Sequence, residues 1–237
     1  MTRASSAGNP RVALVQFPGS NCDADCIDAF KRLFSIDLQL VWHENHELPA
    51  VDGVILPGGF SYGDYLRGGA LASCSKIMPA IKAFANKGGA ILGICNGFQV
   101  LTESHLLPGI LMKNAGQKFI CEYANLKVVA GSSVYHKSLS GKTLRVPIAH
   151  GEGRFYVPDA ELKKLQDKGQ ILFQYADAKG QVTDESNPNG ATAHIAGIVS
   201  ENGKILGMMP HPERASDPLL GSADGKLILE AFLATLV

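Results

Sequence analysis

Short apolar runs that alternate with helix-like segments constrain this sequence more than any other feature. Residues 11–16, 38–42, 53–56 and 90–94 are β-rich or apolar, and the last two runs contain no polar side chain. Strands without a polar face are typical of a sheet that is buried on both sides. Strands separated by helices pair in parallel, because a crossover connection has to bring the chain back. The sequence therefore predicts an α/β fold with a mostly parallel central sheet flanked by helices.

Helical spacing of apolar residues or a suitable stop signal predicts a helix in five segments. These are residues 23–34, 77–86, 96–104, 161–168 and 224–236.

The middle of the chain has a different character. Residues 119–157 contain short runs separated by Gly and Ser, which predicts an antiparallel excursion from the parallel sheet. Further on, residues 194–199 and 204–209 are apolar after their first residue and flank an Asn-Gly pair, so they predict a hairpin.

Composition excludes several classes of protein. The 237 residues include 22 basic and 22 acidic side chains, so there is no basic excess of the kind that nucleic-acid or anionic-membrane binders carry. No apolar stretch approaches the roughly 18 residues of a membrane span. The five cysteines are odd in number and follow no secretory signal, which predicts a reducing, cytoplasmic setting. We expect a flexible leader at 1–10 and one domain at 11–237.

Residues 93–97, Gly-Ile-Cys-Asn-Gly, form the strongest local motif. A buried strand meets a helix there, and the glycines leave room for a tight turn that exposes the Cys95 side chain, as in a nucleophile elbow. The helix amino end favours a thiolate, and the amide of Asn96 is free for an oxyanion. The alternative is a buried structural cysteine, which is common in α/β cores.

A thiol nucleophile needs a base, and residues 210–214, Pro-His-Pro-Glu-Arg, offer one. Residues two apart in an extended chain point the same way, so Glu213 lies where it can orient the His211 imidazole. A solvated loop pair is the alternative, but the buried strand at 205–209 leads directly into this segment.

Residues 57–59, Pro-Gly-Gly, follow the strand at 53–56 and leave backbone amides unscreened, so the amide of Gly59 suits the second half of an oxyanion hole. A plain turn is the alternative.

The sequence has neither a phosphate-loop nor a dinucleotide motif. No metal site is expected, because Cys22 and Cys26 lack companions at ligand spacing and read as packed or partly exposed helix residues.

Together and in this order, these motifs resemble class I (triad-type) glutamine amidotransferases. Longer strings at 58–67, 93–99, 148–155 and 207–214 closely resemble the glutaminase subunits of phosphoribosylformylglycinamidine synthase, which acts in the fourth step of purine biosynthesis. The resemblance covers the chain from Val12 to its end, with no departure at a catalytic position.

The resemblance implies a class I glutamine amidotransferase fold in which Cys95, His211 and Glu213 hydrolyse glutamine to glutamate and ammonia through a thioester. It places the oxyanion on amides near Gly59 and Asn96.

The same resemblance makes Gln99 a substrate contact, and it places His150 at the glutamine pocket or at a partner interface. It further implies that ammonia passes to a large synthetase subunit, which converts formylglycinamide ribonucleotide to formylglycinamidine ribonucleotide with ATP. A small third subunit is also expected. ATP and Mg²⁺ belong to the partner, and no cofactor is expected in this chain.

Three other functions stay open at this point. A different triad amidotransferase is disfavoured by the string at 60–65. A cysteine peptidase or stress protein of the related elbow fold usually lacks a Pro-His-Pro-Glu segment near its carboxyl terminus. A non-enzymatic scaffold has no need for Cys95, His211 and Glu213 together.

Overall fold

The computed structural model describes residues 8–236. Residues 1–7, most of the expected leader, and residue 237 lie outside that part. Pro10, the last residue of the expected leader, already accepts a hydrogen bond from the Asp37 amide at 2.9 Å. The helices are α1 (Asp23–Leu33), α2 (Met78–Asn86), α3 (Asn96–Glu103), α4 (Val134–Leu139), α5 (Asp159–Asp167) and α6 (Asp224–Leu233).

The strands belong to one large sheet and one small one. They are β1 (Arg11–Gln16), β2 (Asp37–Trp42), β3 (Gly53–Leu56), β4 (Ala90–Ile94), β5 (Ile110–Met112), β6 (Ile120–Val128), β7 (Thr143–His150), β8 (Arg154–Tyr156), β9 (Ile171–Ala176), β10 (Ile195–Val199) and β11 (Ile205–Met208).

The large sheet has nine strands in the order β2-β1-β3-β4-β11-β10-β9-β6-β7. The first five pair in parallel, and every pairing from β11 to β7 is antiparallel. This confirms the predicted α/β class with its antiparallel excursion. The antiparallel strands continue the central sheet, while β5 and β8 form a separate two-stranded sheet.

The helices follow the predicted segments closely. Asp23 and Asp25 in the first turn of α1, and Lys31 and Arg32 in its last, oppose the helix dipole favourably at both ends. Helix α6 ends three residues before the predicted end. Helix α4 was not predicted, because six residues are too few to show a helical period. Among residues 8–236, no helix is both long and apolar enough to cross a membrane.

The core is continuous across the centre of the sheet. Strands β3 and β4 are buried at every position, as are β10 and β11, so their apolar side chains pack on both faces. Since β1, β3, β4 and β11 run in parallel, their carboxyl ends lie at the same edge. Ligands of open α/β sheets bind at that edge, so the segments that follow these strands are the place to search for a site.

Candidate active site

Cys95 stands in the elbow between β4 and α3. Its φ of 49° and ψ of −105° are rare for a residue with a side chain, and the turn is held by a hydrogen bond from the Cys95 amide to Met208 O at 2.8 Å. The side chain is 5% exposed, and its thiol lies 3.8 Å from the Ala149 carbonyl. The fold thus holds the sulfur at the turn that the sequence motif predicts, but the side chain is buried at the wall of a cavity and not exposed.

The two glycines of the motif are explained by close contacts. A Cβ at Gly97 would lie 2.0 Å from the Leu56 carbonyl oxygen, and one at Gly93 would lie 2.4 Å from Leu101 Cδ1. Both positions therefore admit no side chain without displacing neighbouring atoms. These glycines let α3 approach β3 and β4 closely enough to place Cys95 at the sheet edge.

His211 and Glu213 form a buried pair directly after β11. Nδ1 of His211 lies 2.6 Å from Oε1 of Glu213, and the side chains are 1% and 0% exposed. The His211 amide donates to Pro147 O at 2.8 Å, which fixes this segment against β7. Burial by itself lowers the pKa of His211, but Glu213 and Cys95 outweigh it and hold that pKa well above its usual value.

Cys95 and His211 line the same small cavity, which has a volume of about 90 Å³. Gly59 and Cys22 contribute to its wall, and the half-exposed ring of Phe60 stands beside it. A larger open cavity of about 530 Å³ lies at the opposite end of the sheet, and none of the predicted site residues lines it. The residues that line the smaller cavity, rather than its volume, therefore identify it as the candidate site.

Backbone amides are available next to the cysteine. Among residues 8–236, neither the Gly59 amide nor the Asn96 amide has a hydrogen-bond acceptor. Gly59 has a φ of 136°, and a Cβ there would lie 2.7 Å from Gly19 O, so only glycine fits. The Asn96 side chain accepts a hydrogen bond from the Ser61 amide at 3.2 Å, which joins the two segments. The arrangement can receive a developing oxyanion.

Gln99 and His150 lie next to the cavity residues but do not line the cavity. Both ends of the Gln99 amide are hydrogen-bonded, since it accepts from Asn96 Nδ2 at 2.7 Å and donates to Glu152 O at 2.6 Å. His150 is buried, with Nδ1 3.1 Å from Asn114 Oδ1. That these two side chains contact glutamine stays a prediction.

The segment after Pro57-Gly-Gly is strained. Tyr62, Asp64 and Leu66 all have φ between 53° and 71°, a region that side chains disfavour. Burial, and then the negative charge of Glu152, raise the pKa of Asp64 to about 6. Its carboxylate accepts from Asn96 Nδ2 at 3.3 Å, so this charge adjoins the amide side of the site.

Cys22 lines the cavity, although the sequence analysis treated it as a packed or partly exposed helix residue and gave it no place in the site. It directly precedes α1, is buried, and lines the cavity with Cys95. Its sulfur lies 3.1 Å from Nη2 of Arg214, 192 positions later in the chain. Ligand spacing cannot reveal such a neighbour. The contact depends on strand order, because β1 and β11 end at the same edge of the sheet.

Comparisons with known proteins agree with this geometry. The CobB/CobQ-like glutamine amidotransferase domain matches residues 9–225. The phosphoribosylformylglycinamidine synthase subunit PurQ of Aquifex aeolicus is 48% identical over 225 residues, which are 94% of this chain and 99% of the relative. The PurQ subunit of Chlorobium chlorochromatii is 50% identical over 226 residues, with 95% and 97% covered.

Solved structures give the same result. A chain in the structure of PurLQS from Thermotoga maritima superposes with a TM-score of 0.84 at 38% identity, covering 97% of this chain and all of that one. A putative GMP synthase subunit from Thermoplasma acidophilum shares only the fold, with a TM-score of 0.62, 14% identity, and 98% and 96% covered. The chain therefore belongs to the glutamine amidotransferases, and within them to the PurQ subunits of phosphoribosylformylglycinamidine synthase.

Proposed function

We propose that Cys95 is the nucleophile that attacks the side-chain amide carbon of glutamine. The observation that carries this proposal is that His211, paired with the buried Glu213, lines the cavity that Cys95 also lines. A cysteine with a charge-oriented histidine beside it is the arrangement that nucleophilic amide hydrolysis requires. The amides of Gly59 and Asn96 then receive the oxyanion of the tetrahedral intermediate.

His211 carries the protons in both halves of the reaction. Its imidazolium protonates the departing nitrogen, so that ammonia leaves and a γ-glutamyl thioester remains on Cys95. The now neutral imidazole takes a proton from water, the hydroxide attacks the thioester carbon, and glutamate leaves as the thiolate returns. Glu213 stabilises the imidazolium that precedes the first step and that forms in the second, which agrees with the raised pKa of His211.

Gln99 and His150 support the site through their hydrogen bonds in this proposal. Gln99 fixes Asn96 against the turn that contains Glu152. Asn114 holds His150 and the same turn, since it also accepts from the Gly153 amide at 3.2 Å. Residues 11–237 act as one amidotransferase domain.

Ammonia leaves this chain for a synthetase partner. The relatives are subunits of a synthase, and the related structure is of PurLQS, so we propose that a large synthetase subunit receives the ammonia and that a small third subunit completes the complex. The partner then binds the ATP and Mg²⁺ that convert formylglycinamide ribonucleotide to formylglycinamidine ribonucleotide. The cytoplasm is the proposed location, which the five unpaired cysteines support.

Glutamate release from glutamine tests this function. We would measure it for the chain alone and with the cognate synthetase subunits, ATP and formylglycinamide ribonucleotide, and repeat both with Cys95→Ala. We expect strong activation by the partners and a loss of at least about 10⁴-fold in the variant, because removing a nucleophile costs that much in comparable enzymes.

Ammonium chloride provides the control. If this chain only supplies ammonia, added ammonium should restore nucleotide product formation in the Cys95→Ala complex. Glutamate release that survives the substitution would exclude Cys95 as the nucleophile. Release that ignores the partners would favour an independent hydrolase of the same fold.

A further inference from the structure

Cys22 is a second buried thiol at the wall of the cavity, and the proposed hydrolysis does not use it. Its sulfur belongs to a cluster with His211 and Glu213, in which one ligand-type atom of each residue lies within 4.8 Å of the others. The three residues are 4%, 1% and 2% exposed. The cluster therefore combines a thiol, an imidazole and a carboxylate in a nearly dry setting.

One atom of this cluster has unused capacity for hydrogen bonding or coordination. Within the described part of the chain, Oε2 of Glu213 is buried and has no hydrogen-bond partner. Buried polar atoms without partners cost free energy, so a ligand that pairs with them gains what the fold leaves unsatisfied. The carboxylate favours a cation, and the imidazole becomes a ligand once it gives up its Nδ1 proton.

The chemistry of the donors selects the kind of cation. Sulfur, imidazole nitrogen and carboxylate oxygen are the ligands that Zn²⁺ binds in proteins, at about 2.3, 2.0 and 2.0 Å. Around a tetrahedral ion these bonds place the ligand atoms about 3.3 to 3.6 Å apart, so atoms now within 4.8 Å need shifts of only about 1 Å. Coordination through Nδ1 would open the contact between His211 and Glu213, which is now 2.6 Å.

We propose that Cys22, His211 and Glu213 form an inhibitory site for a thiophilic divalent cation such as Zn²⁺, with water as the fourth ligand. The ion replaces the thiol proton of Cys22 and the proton between His211 and Glu213, and both protons pass to solvent. The guanidinium of Arg214, 3.1 Å from the sulfur, lies where it can offset the added negative charge of a thiolate.

Metal binding would stop hydrolysis because a coordinated His211 no longer accepts or donates protons. This inhibitory consequence rests on the proposed function, whereas the binding itself does not. Cys95 is not among the three ligands, so the site differs from the nucleophile although both face one cavity.

Zn²⁺ binding by the full chain tests the site directly, using competition with a chromophoric chelator in a thiol-free reductant. We expect one Zn²⁺ per wild-type chain and a loss of affinity of at least about 100-fold in Cys22→Ser, since even outer-shell substitutions at zinc sites cost 10- to 100-fold. Cys26→Ser is the matched control, because Cys26 is equally buried one helical turn further on and lies outside the cluster. It should bind like the wild type.

Cobalt provides a signature that a merely structural effect would not produce. Co²⁺ bound by the wild type should show a sulfur-to-metal charge-transfer band, which Cys22→Ser should lack and both Cys26→Ser and Cys95→Ser should keep. Glu213→Gln, which has the shape of the carboxylate without its charge, should also weaken Zn²⁺ binding. Circular dichroism would establish that each variant is folded.

Several outcomes would overturn the proposal. Equal affinity in Cys22→Ser and wild type would remove Cys22 from the site, and loss of the cobalt band in Cys95→Ser would place the metal on the other thiol. Binding through Cys22 that leaves glutamate release unchanged would end the inhibitory role. A chain that binds Zn²⁺ through Cys22 but never hydrolyses glutamine with its partners would contradict the proposed function and not the metal site.

Discussion

The two halves of the central sheet contribute to the site in different ways. In the parallel half, Gly59, Cys95 and His211 follow three adjacent strands within three residues of their carboxyl ends. The antiparallel half contributes from the end of β7, where Ala149 lines the cavity and Pro147 holds the His211 backbone. Parallel strands gather side chains from distant positions at one edge, whereas the antiparallel strands provide a wall.

Glu213→Gln is expected to have the largest effect among three tests of this division. The amide keeps the shape of the carboxylate but cannot stabilise a charged imidazole, so we expect kcat for glutamine hydrolysis to fall by about 10³- to 10⁴-fold. The control is Glu122→Gln, at an exposed position of β6 in the antiparallel half, which should change kcat by less than about twofold. Similar losses of kcat in both variants would show that the two halves of the sheet do not differ in their contribution to hydrolysis.

Gly97→Ala should have the next largest effect. Its Cβ would lie 2.0 Å from the Leu56 carbonyl oxygen, so α3 must move away from β3. We expect the free energy of unfolding to fall by about 3 kcal/mol, the upper range for overpacking. Gly116, outside the parallel half, has no atom within 4 Å of an added Cβ, and Gly116→Ala should change stability by less than about 1 kcal/mol. Urea unfolding of the three proteins measures both effects.

His150→Gln tests the antiparallel half through its pH dependence. Burial, and then the positive charge of His211, lower the pKa of His150 to about 4. His150 is protonated near pH 6.5 in the unfolded chain but stays neutral to about pH 4 in the folded chain. The free energy of unfolding therefore decreases by about 3 kcal/mol as the pH falls from 6.5 to about 4. The variant should lose this slope, which urea midpoints across that range would reveal.

His211 provides the contrast for this measurement. Its pKa is raised, so its stabilising contribution is complete below pH 6.5 and is lost as pH rises through the higher, folded-state value. The two histidines therefore act in separate windows. If His150→Gln changed stability above pH 6.5 and left the acid slope intact, the buried neutral state of His150 would be refuted.

The difference between the halves also explains what the sequence could predict. The strand at 53–56, the strand at 90–94 and the elbow at Cys95 were predictable, because continuous apolar runs and Gly-x-Cys-x-Gly are local patterns. The hairpin of β10 and β11 was predictable from its Asn-Gly turn. Their membership of the central sheet was not, since strand order depends on contacts between distant segments.

The contact partners of individual side chains were harder to predict than the strands. The neighbour of Cys22 is Arg214, and no spacing rule connects two positions at opposite ends of a chain. The Gln99 amide illustrates a second limit. A glutamine one turn after a nucleophile faces the site on a helix, but whether its amide is free depends on Asn96 and Glu152, which belong to other segments.

The central position of β11 has a consequence for synthesis of the chain. Strand β4 ends at Ile94, and its second neighbour begins at Ile205, 111 residues later. At about 5 to 20 residues per second, a ribosome needs about 5 to 20 s to make that stretch. During this time a fully apolar strand has one unpaired edge, which is a site for aggregation. Until β11 emerges, no other strand within residues 8–236 covers this edge of β4.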